Sequence, residues 1–343
     1  MAILAIESSC DETSAAVVKG SKVLSNIISS QYFHSKYGGV VPELASRAHL
    51  ESISGIVTEA LEKASLHMKE IEAIAVTSEP GLIGSLIVGS NFAKGISLKY
   101  GLPIIPVNHI EGHIYSGGLQ DSSVTFPHIS LVVSGGHTSI FLVSSYSKYK
   151  VIGSTRDDAA GEAFDKIAKI LGFPYPGGPE IDKISKKGDP NSYDFPRSMI
   201  NSQNFDFSFS GLKTSVRYYL EKNFPDGVPD DLIADVAASV QQAIVDVLVS
   251  KTVKAAKEYL PDSNRNVIVI AGGVSANSEL RRKMSSEAAK FNIRTVAPEL
   301  EYSMDNAAMI AFIAEKRAFY NTDYDYFDLT FKVNSSHLRA KRK

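Results

Sequence analysis

The sequence predicts an α/β protein built from two similar halves. Two observations carry the prediction. The chain opens with two short apolar runs, Ile3 to Ile6 and Ala15 to Val18, on either side of the polar turn Glu7-Ser8-Ser9-Cys10-Asp11-Glu12-Thr13-Ser14. The same grammar returns from Ile129 to Val133, Ser134-Gly135-Gly136-His137-Thr138, and Ser139 to Val143. Each opening gains a third strand, Val23 to Ile28 in the first half and Tyr149 to Gly153 in the second. Helices and further strands follow both times, which is the alternation of an α/β fold. The repeat is one of supersecondary structure and not of sequence.

In the first half, Pro42 suits a first helical turn. Apolar residues then recur at helical spacing from Glu43 to about Ala64 (Leu44, Ala48, Ile53, Val57, Leu61). Ile71 to Val76 is a strand. A long apolar helix runs from about Leu82 to Lys99 and contains Gly84, Gly89 and Gly95. Glycine costs helix stability, so close packing is expected there. Pro103 to Val107 is a buried strand feeding Asn108-His109-Ile110-Glu111-Gly112-His113.

In the second half, helices are expected from Asp157 to Leu171, to about Glu221, and from Asp230 to Tyr259. Tyr175 to Asp182 reads as a loop feeding another helix. Asn266 to Ile270 is a strand ended by Ala271-Gly272-Gly273-Val274-Ser275-Ala276-Asn277. A helix, a strand from Ile293 to Val296 and a last helix from Asp305 to Tyr320 complete the pattern. The expected division is an N-terminal lobe over 1–127, a C-terminal lobe over 128–320, and a loosely packed tail over 321–343 ending in Arg339-Ala340-Lys341-Arg342-Lys343.

The 343 residues suffice for two ordinary domains, and 44% apolar with 22% charged residues is globular composition. No apolar run approaches the roughly 20 residues that cross a bilayer, so no membrane partner is expected. The start reads as a strand and not as a leader peptide, and the single cysteine excludes an internal disulfide framework; both favour the cytoplasm. Cys10 lies beside Asp11 and Glu12, which disfavour a thiolate, so it reads as structural. A net charge of −2 gives no global basic footprint for nucleic acid.

His109 and His113 lie one helical turn apart on one face. Their ring nitrogens can converge on one divalent cation at about 2.0–2.1 Å. Two solvated helix histidines look the same in sequence, so a third donor is required. Asp305, in Ser303-Met304-Asp305-Asn306, is the best candidate. The turns at Ser134-Gly135-Gly136, Gly177-Gly178 and Gly272-Gly273 let backbone amides approach a phosphate. Interleaved with Asp165, Asp182 and Asn277, they point to a bound nucleotide. Any one pair alone would be an ordinary turn.

These stretches, with Leu131-Val132-Val133, Asp157 to Lys166, Tyr175-Pro176-Gly177-Gly178-Pro179 and Phe207-Ser208-Phe209-Ser210-Gly211-Leu212-Lys213-Thr214, resemble the TsaD family in order and over nearly the whole chain. These are the tRNA threonylcarbamoyladenosine transferases, once described as O-sialoglycoprotein endopeptidases. Asp182 and the overall length look like the bacterial or organellar branch. The resemblance implies an actin, sugar-kinase and Hsp70 type of fold, with two similar lobes around a nucleotide cleft. It implies one Fe(2+) or Zn(2+) held by His109, His113 and Asp305. It implies substrate contacts at Val132, Val133, Ser134, Gly135, Gly136, Asp165, Gly178, Asp182 and Asn277. The implied reaction moves a threonylcarbamoyl group from threonylcarbamoyl-AMP to the N6 amine of the adenosine beside the anticodon, in tRNAs reading codons that begin with A. The implied partners are tRNA, a smaller paralogue forming a heterodimer, a partner ATPase and the synthase of the adenylate.

Asp11 and Glu12, at the tip of the first hairpin, are the candidates for a base that takes the amine proton. Three rival readings remain. A metalloendopeptidase needs Glu next to a ligand His, whereas Glu111 lies two residues from each His and points away round the helix. An ATPase or kinase of the same fold class would work through Mg²⁺ and carboxylates without two imidazoles. A non-catalytic scaffold has no need of His109, His113 and Asp305.

Overall fold

The computed structural model describes residues 1–225, 227–261, 265–320 and 326–335, which pack as two compact units. In chain order the strands are β1 (Ala2–Glu7), β2 (Glu12–Lys19), β3 (Lys22–Ser30), β4 (Ala73–Glu79), β5 (Ile104–Asn108), β6 (His128–Val133), β7 (Thr138–Ser145), β8 (Lys148–Ser154), β9 (Val267–Ala271) and β10 (Arg294–Val296). The α-helices are α1 (Pro42–Lys63), α2 (Ile83–Tyr100), α3 (His109–Tyr115), α4 (Gly117–Gln120), α5 (Ala160–Ile170), α6 (Gly177–Ser185), α7 (Ser210–Asn223), α8 (Asp230–Tyr259), α9 (Ser278–Ala289), α10 (Leu300–Ser303) and α11 (Ala307–Tyr320).

The first unit holds a five-stranded sheet in the order β3-β2-β1-β4-β5, and the second holds one in the order β10-β9-β6-β7-β8. Read outward from β1 and from β6, the two orders are the same. In each, the opening three strands are antiparallel and the last two join in parallel. The expected doubling is therefore a repeat of topology. β1 and β4 are central, and their apolar residues are buried throughout, as expected of strands covered on both faces.

The unit boundary differs from the expected one. The first unit comprises residues 1–122 together with the chain from Met304 onward, and the second runs from Ser123 to Ser303. Helix α11 belongs to the first unit because Ala307 to Ala314 are all buried, too apolar to face water, and the helix packs on β1, β2 and α3. Glu315 completes the closure by accepting from the amides of Gly20 and Ser21 at 2.8 and 2.7 Å in the β2–β3 turn. The expected loose tail is also corrected over 326–335. Ile104 N donates to Tyr326 O at 2.6 Å, Asn334 N donates to Ser78 O at 3.0 Å, and Leu329 and Phe331 pack against the core of the first unit. The basic run Arg339 to Lys343 lies outside the described residues.

Two further boundaries move for reasons of hydrogen bonding. Gly177 and Gly178 are the first residues of α6 and not loop, because Asp165 accepts from both of their amides at 2.7 and 3.3 Å and so caps the helix. Helix α5 starts at Ala160 and not at Asp157, whose carboxylate is occupied by Phe209 N at 2.8 Å and Ser210 Oγ at 2.8 Å. Helix α8 spans 30 residues and contains a window apolar enough to cross a membrane, but most of that window is buried in the core of the second unit.

The glycines of α2 divide into two kinds. A Cβ on Gly84 would meet Ser46 Oγ and one on Gly89 would meet Ser8 Oγ, each closer than atoms can approach, whereas Gly95 faces open space. Gly89 thus seats α2 against the end of β1. Gly89→Ala should therefore destabilise the protein by about 1–3 kcal/mol through overpacking, while Gly95→Ala should stabilise it by about 0.4–1 kcal/mol. Urea midpoints of the two variants check the opposite signs, and equal shifts would contradict this packing.

Candidate metal centre and its surroundings

Strand β5 delivers α3 without a break, and Asn108 caps the helix by accepting from Ile110 N at 2.9 Å and Glu111 N at 3.3 Å. That start places His109 in the first turn and His113 one turn on, both buried. Asp305 arrives from the chain just before α11. Its Oδ1 lies 3.1 Å from His113 Nε2 and 3.4 Å from His109 Nε2. The imidazoles stand edge to face at 89° with centroids 4.8 Å apart. The three donor atoms all lie within 4.8 Å of one another. Sequence reasoning missed Glu7 and Ser9, which grip the other side of the His109 ring. Glu7 Oε2 and Ser9 Oγ each lie 3.1 Å from His109 Nδ1. Their signal was a buried glutamate ending an otherwise apolar strand.

The charges fit a bound cation. Burial raises the Asp305 carboxyl, but His109 outweighs it and holds the group well below the usual carboxylate range. Glu7 is likewise lowered, with burial opposed by His109. Burial works against a charged His109, yet Asp305 and Glu7 on its two sides raise it well above the ordinary imidazole value. Burial lowers His113, favouring the neutral ring that a metal ligand must be. His109, charged between the buried Glu7 and the partly buried Asp305, must release its proton to become a ligand, and the two carboxylates then leave negative charge for a divalent ion to neutralise. Two imidazoles and one carboxylate suit zinc or ferrous iron. The Glu7–His109 contact is the outer support such a ligand usually has. The residues therefore fit the implied metal. Glu111 takes no part, since it is paired with Arg317 of α11, which removes the feature on which the peptidase reading rested.

The β1–β2 turn is pinned beside this cluster. Ser8 Oγ donates to Ser85 O at 3.0 Å, and Leu82 N donates to Ser9 O at 2.8 Å. His49 of α1 is fully buried and bonds the Cys10 carbonyl through Nε2 at 2.9 Å and the Thr13 hydroxyl through Nδ1 at 2.7 Å. Nε2 faces only an acceptor, so it carries the proton, and the Thr13 hydroxyl donates to Nδ1. Glu12 is buried at the start of β2. Burial, Asp305 and Asp11 together raise its carboxyl well above the usual range. Glu12 thus lies within electrostatic reach of Asp305 and shares a hydrogen bond with Asp11. Burial and the same acids push the Cys10 thiol up, so it stays a thiol, as its neighbours predict.

In the second unit, Val132 and Val133 close β6, and Ser134-Gly135-Gly136 turns into β7, held by Ser134 N donating to His137 O at 2.8 Å. Gly161 and Gly272 bring α5 and the end of β9 against this turn. A Cβ on Gly161 would meet Ser134 O at 2.6 Å and one on Gly272 would meet Val133 O at 2.5 Å. Gly135, Gly136 and Gly273 face open space instead. Asp165 holds Gly177 and Gly178 through Oδ1. Asp182 Oδ1 accepts from Ser278 N at 3.1 Å and Ser278 Oγ at 2.8 Å. Asn277 caps α9 through Leu280 N at 2.9 Å and donates to Gln241 Oε1 at 2.6 Å. The polar residues expected to meet substrate are thus joined through helix N-termini, with part of each group already engaged by the protein.

A family profile described as tRNA N6-adenosine threonylcarbamoyltransferase matches residues 22–312. Proteins of that name from Thermosipho africanus and Kosmotoga olearia are 52% and 50% identical to this chain, over 92% and 93% of it and 94% of each relative. One from Clostridium botulinum is 52% identical over 91% of both chains. Among solved structures, HypF of T. kodakarensis superposes at a TM-score of 0.63 with 14% identity, covering 95% of this chain and 49% of that one. The activator of the 2-hydroxyisocaproyl-CoA dehydratase from Clostridium difficile superposes at 0.51 with 16% identity, covering 94% and 99%. These likenesses establish the fold class, actin, sugar-kinase and Hsp70-like.

Exchanging both His109 and His113 for Ala should abolish bound metal while circular dichroism shows the fold retained. Glu7→Gln should weaken metal retention by about 10–100-fold. Elemental analysis after dialysis measures both, and stoichiometric iron or zinc in the double variant would overturn the ligand set.

Proposed function

Because the chain belongs to the tRNA N6-adenosine threonylcarbamoyltransferase family, we propose that it transfers the threonylcarbamoyl group from threonylcarbamoyl-AMP to the N6 amine of the adenosine adjacent to the anticodon, in tRNAs reading codons that start with A. The observation that carries this reading is the cluster of buried His109 and His113 with the partly buried Asp305, the Asp11–Glu12 turn beside it, within a chain about half identical to those transferases. The donor is a mixed anhydride and already activated, so the protein's task is positioning and charge stabilisation. The adenine N6 attacks the carbamoyl carbon, the bond from that carbon to the phosphate oxygen breaks, and AMP leaves with the electron pair. The N6 proton passes to the Asp11–Glu12 pair.

When bound, Fe(2+) or Zn(2+) on His109, His113 and Asp305 supplies Lewis-acid polarisation of an oxygen of the threonylcarbamoyl group. Glu7 fixes the His109 ring, and His49 fixes the turn that bears the acids. Turn amides of Ser134, Gly135 and Gly136, after Val132 and Val133, take the AMP phosphate. Asp165, Gly178, Asp182 and Asn277 position the nucleoside.

The reading includes protein partners and the cytoplasm. Leu50 of α1 and Ile83, Ile87 and Leu98 of α2 are exposed. Apolar side chains gathered on two packed helices call for a covering partner, and a smaller paralogue of like fold suits that face. A partner ATPase would support turnover.

Nucleoside mass spectrometry on total tRNA tests the function. Depleting the protein should lower threonylcarbamoyladenosine, wild type should restore it, and His109→Ala should not. Restoration by both would remove the cluster from the mechanism, and an unchanged modification level would overturn the function.

A further inference from the structure

We propose that the turn between β3 and α1 is a stacking surface for unpaired nucleobases of the RNA substrate, an inference that rests on the function proposed above. Tyr32, Phe33 and Tyr37 lie within six residues and are 82%, 37% and 62% exposed. Single exposed apolar side chains are ordinary, but three rings on one turn are not. The turn is not loose. His34 is buried within it, bonded through Nε2 to Gln31 Oε1 at 3.0 Å and through Nδ1 to Val41 N at 3.3 Å. Nδ1 accepts from an amide, so Nε2 carries the proton and donates to Gln31. The Gln31 amide donates in turn to Ala45 O of α1 at 3.3 Å. Gly38, at φ +71°, ends the turn in the left-handed region. The rings are thus presented on a framework tied at both ends, which lowers the entropy cost of using them.

The same framework leads to the proposed base. Gln31 N donates to Asp11 O at 3.1 Å, and Ser30 pairs with Glu12 across β2 and β3. At the far end, α1 carries the His49 that holds the Cys10 carbonyl. Both flanks of the aromatic turn are therefore fastened to the acidic turn. An adenine that offers its N6 amine to those acids must leave its stack, and its neighbours lose a face as well. Flat aromatic faces at the rim replace that stacking, as they do in many single-strand binders. Exposed Lys36, between the rings, supplies a cation for the backbone. Exposed Ser35 and Lys36 separate Tyr32 and Phe33 from Tyr37, and two glycines follow, which suits separate bases better than the continuous apolar patch of a protein interface.

The test uses tagged full-length protein isolated from its cells with whatever accompanies it. The probe is a labelled anticodon stem-loop RNA with 2-aminopurine beside the target adenosine. Tyr32→Ala with Tyr37→Ala should weaken binding about tenfold or more. The slope of log affinity against log salt should not change, because no phosphate contact is lost. Quenching of 2-aminopurine by the wild type should disappear in that variant, and Tyr32→Phe with Tyr37→Phe should behave as wild type. Equal unfolding midpoints show that the variants are folded. Wild-type binding and quenching by the alanine variant would overturn the stacking surface alone. Unchanged RNA binding with loss of a co-purifying protein would reassign the turn to a protein contact. A wild type that binds no RNA would overturn the proposed function, and this inference with it.

Discussion

One imidazole between a buried and a partly buried carboxylate organises the first unit. His109 stands between Glu7, the last residue of β1, and Asp305, the residue two before α11. Three stretches far apart in sequence must therefore arrive at one point with little tolerance, because a buried charge without its partner costs several kcal/mol (on the order of 3–5). Asn108 sets where α3 begins, and with it the direction of the ring. Gly89 lets α2 lie close enough to fix Ser8, next to the Glu7 and Ser9 that hold Nδ1. His49 locks the following turn. The cluster and the turn beside it are thus joined by one continuous set of polar contacts.

The second unit solves a different problem with the same sheet order. Its turns must leave backbone amides open while staying fixed. Gly161 and Gly272 allow α5 and β9 to press on the Ser134 turn from two sides, and Gly135, Gly136 and Gly273 keep the outer faces bare. Asp165 and Asp182 stabilise the starts of α6 and α9. Acids that read in sequence as substrate contacts therefore have a structural duty as well, and the second oxygen of Asp182 also lies 3.5 Å from Lys186 Nζ.

The strands and long helices were legible because their periodicity is strong and their burial follows it, as in β1, β6 and α8. The histidine pair was legible because helical spacing is local information. Asp305 was legible as a candidate only, since nothing local ties it to residue 109. Glu7, Ser9 and His49 were hidden because their partners lie 36 to 102 residues away. The domain division failed for the same reason. Chain order placed α11 with its neighbours, but its apolar run from Ala307 to Ala314 is covered by the sheet of the first unit and by α3. The start of α5 was misplaced because Asp157 looks like a first-turn acid, while its carboxylate serves the segment from Ser208 to Ser210 instead.

The return of the chain to the first unit sets an order of synthesis. Residues 1–122 leave the ribosome with both histidines but without α11 and without Asp305. For as long as residues 123–303 are being made, the sheet of that unit lacks the helix that covers it, and Gly20 and Ser21 lack the Glu315 carboxylate that caps their turn. Contacts of such long sequence separation form late. The three-donor cluster can consequently form only after residue 305 has been made, and a polypeptide terminated before it cannot assemble the site.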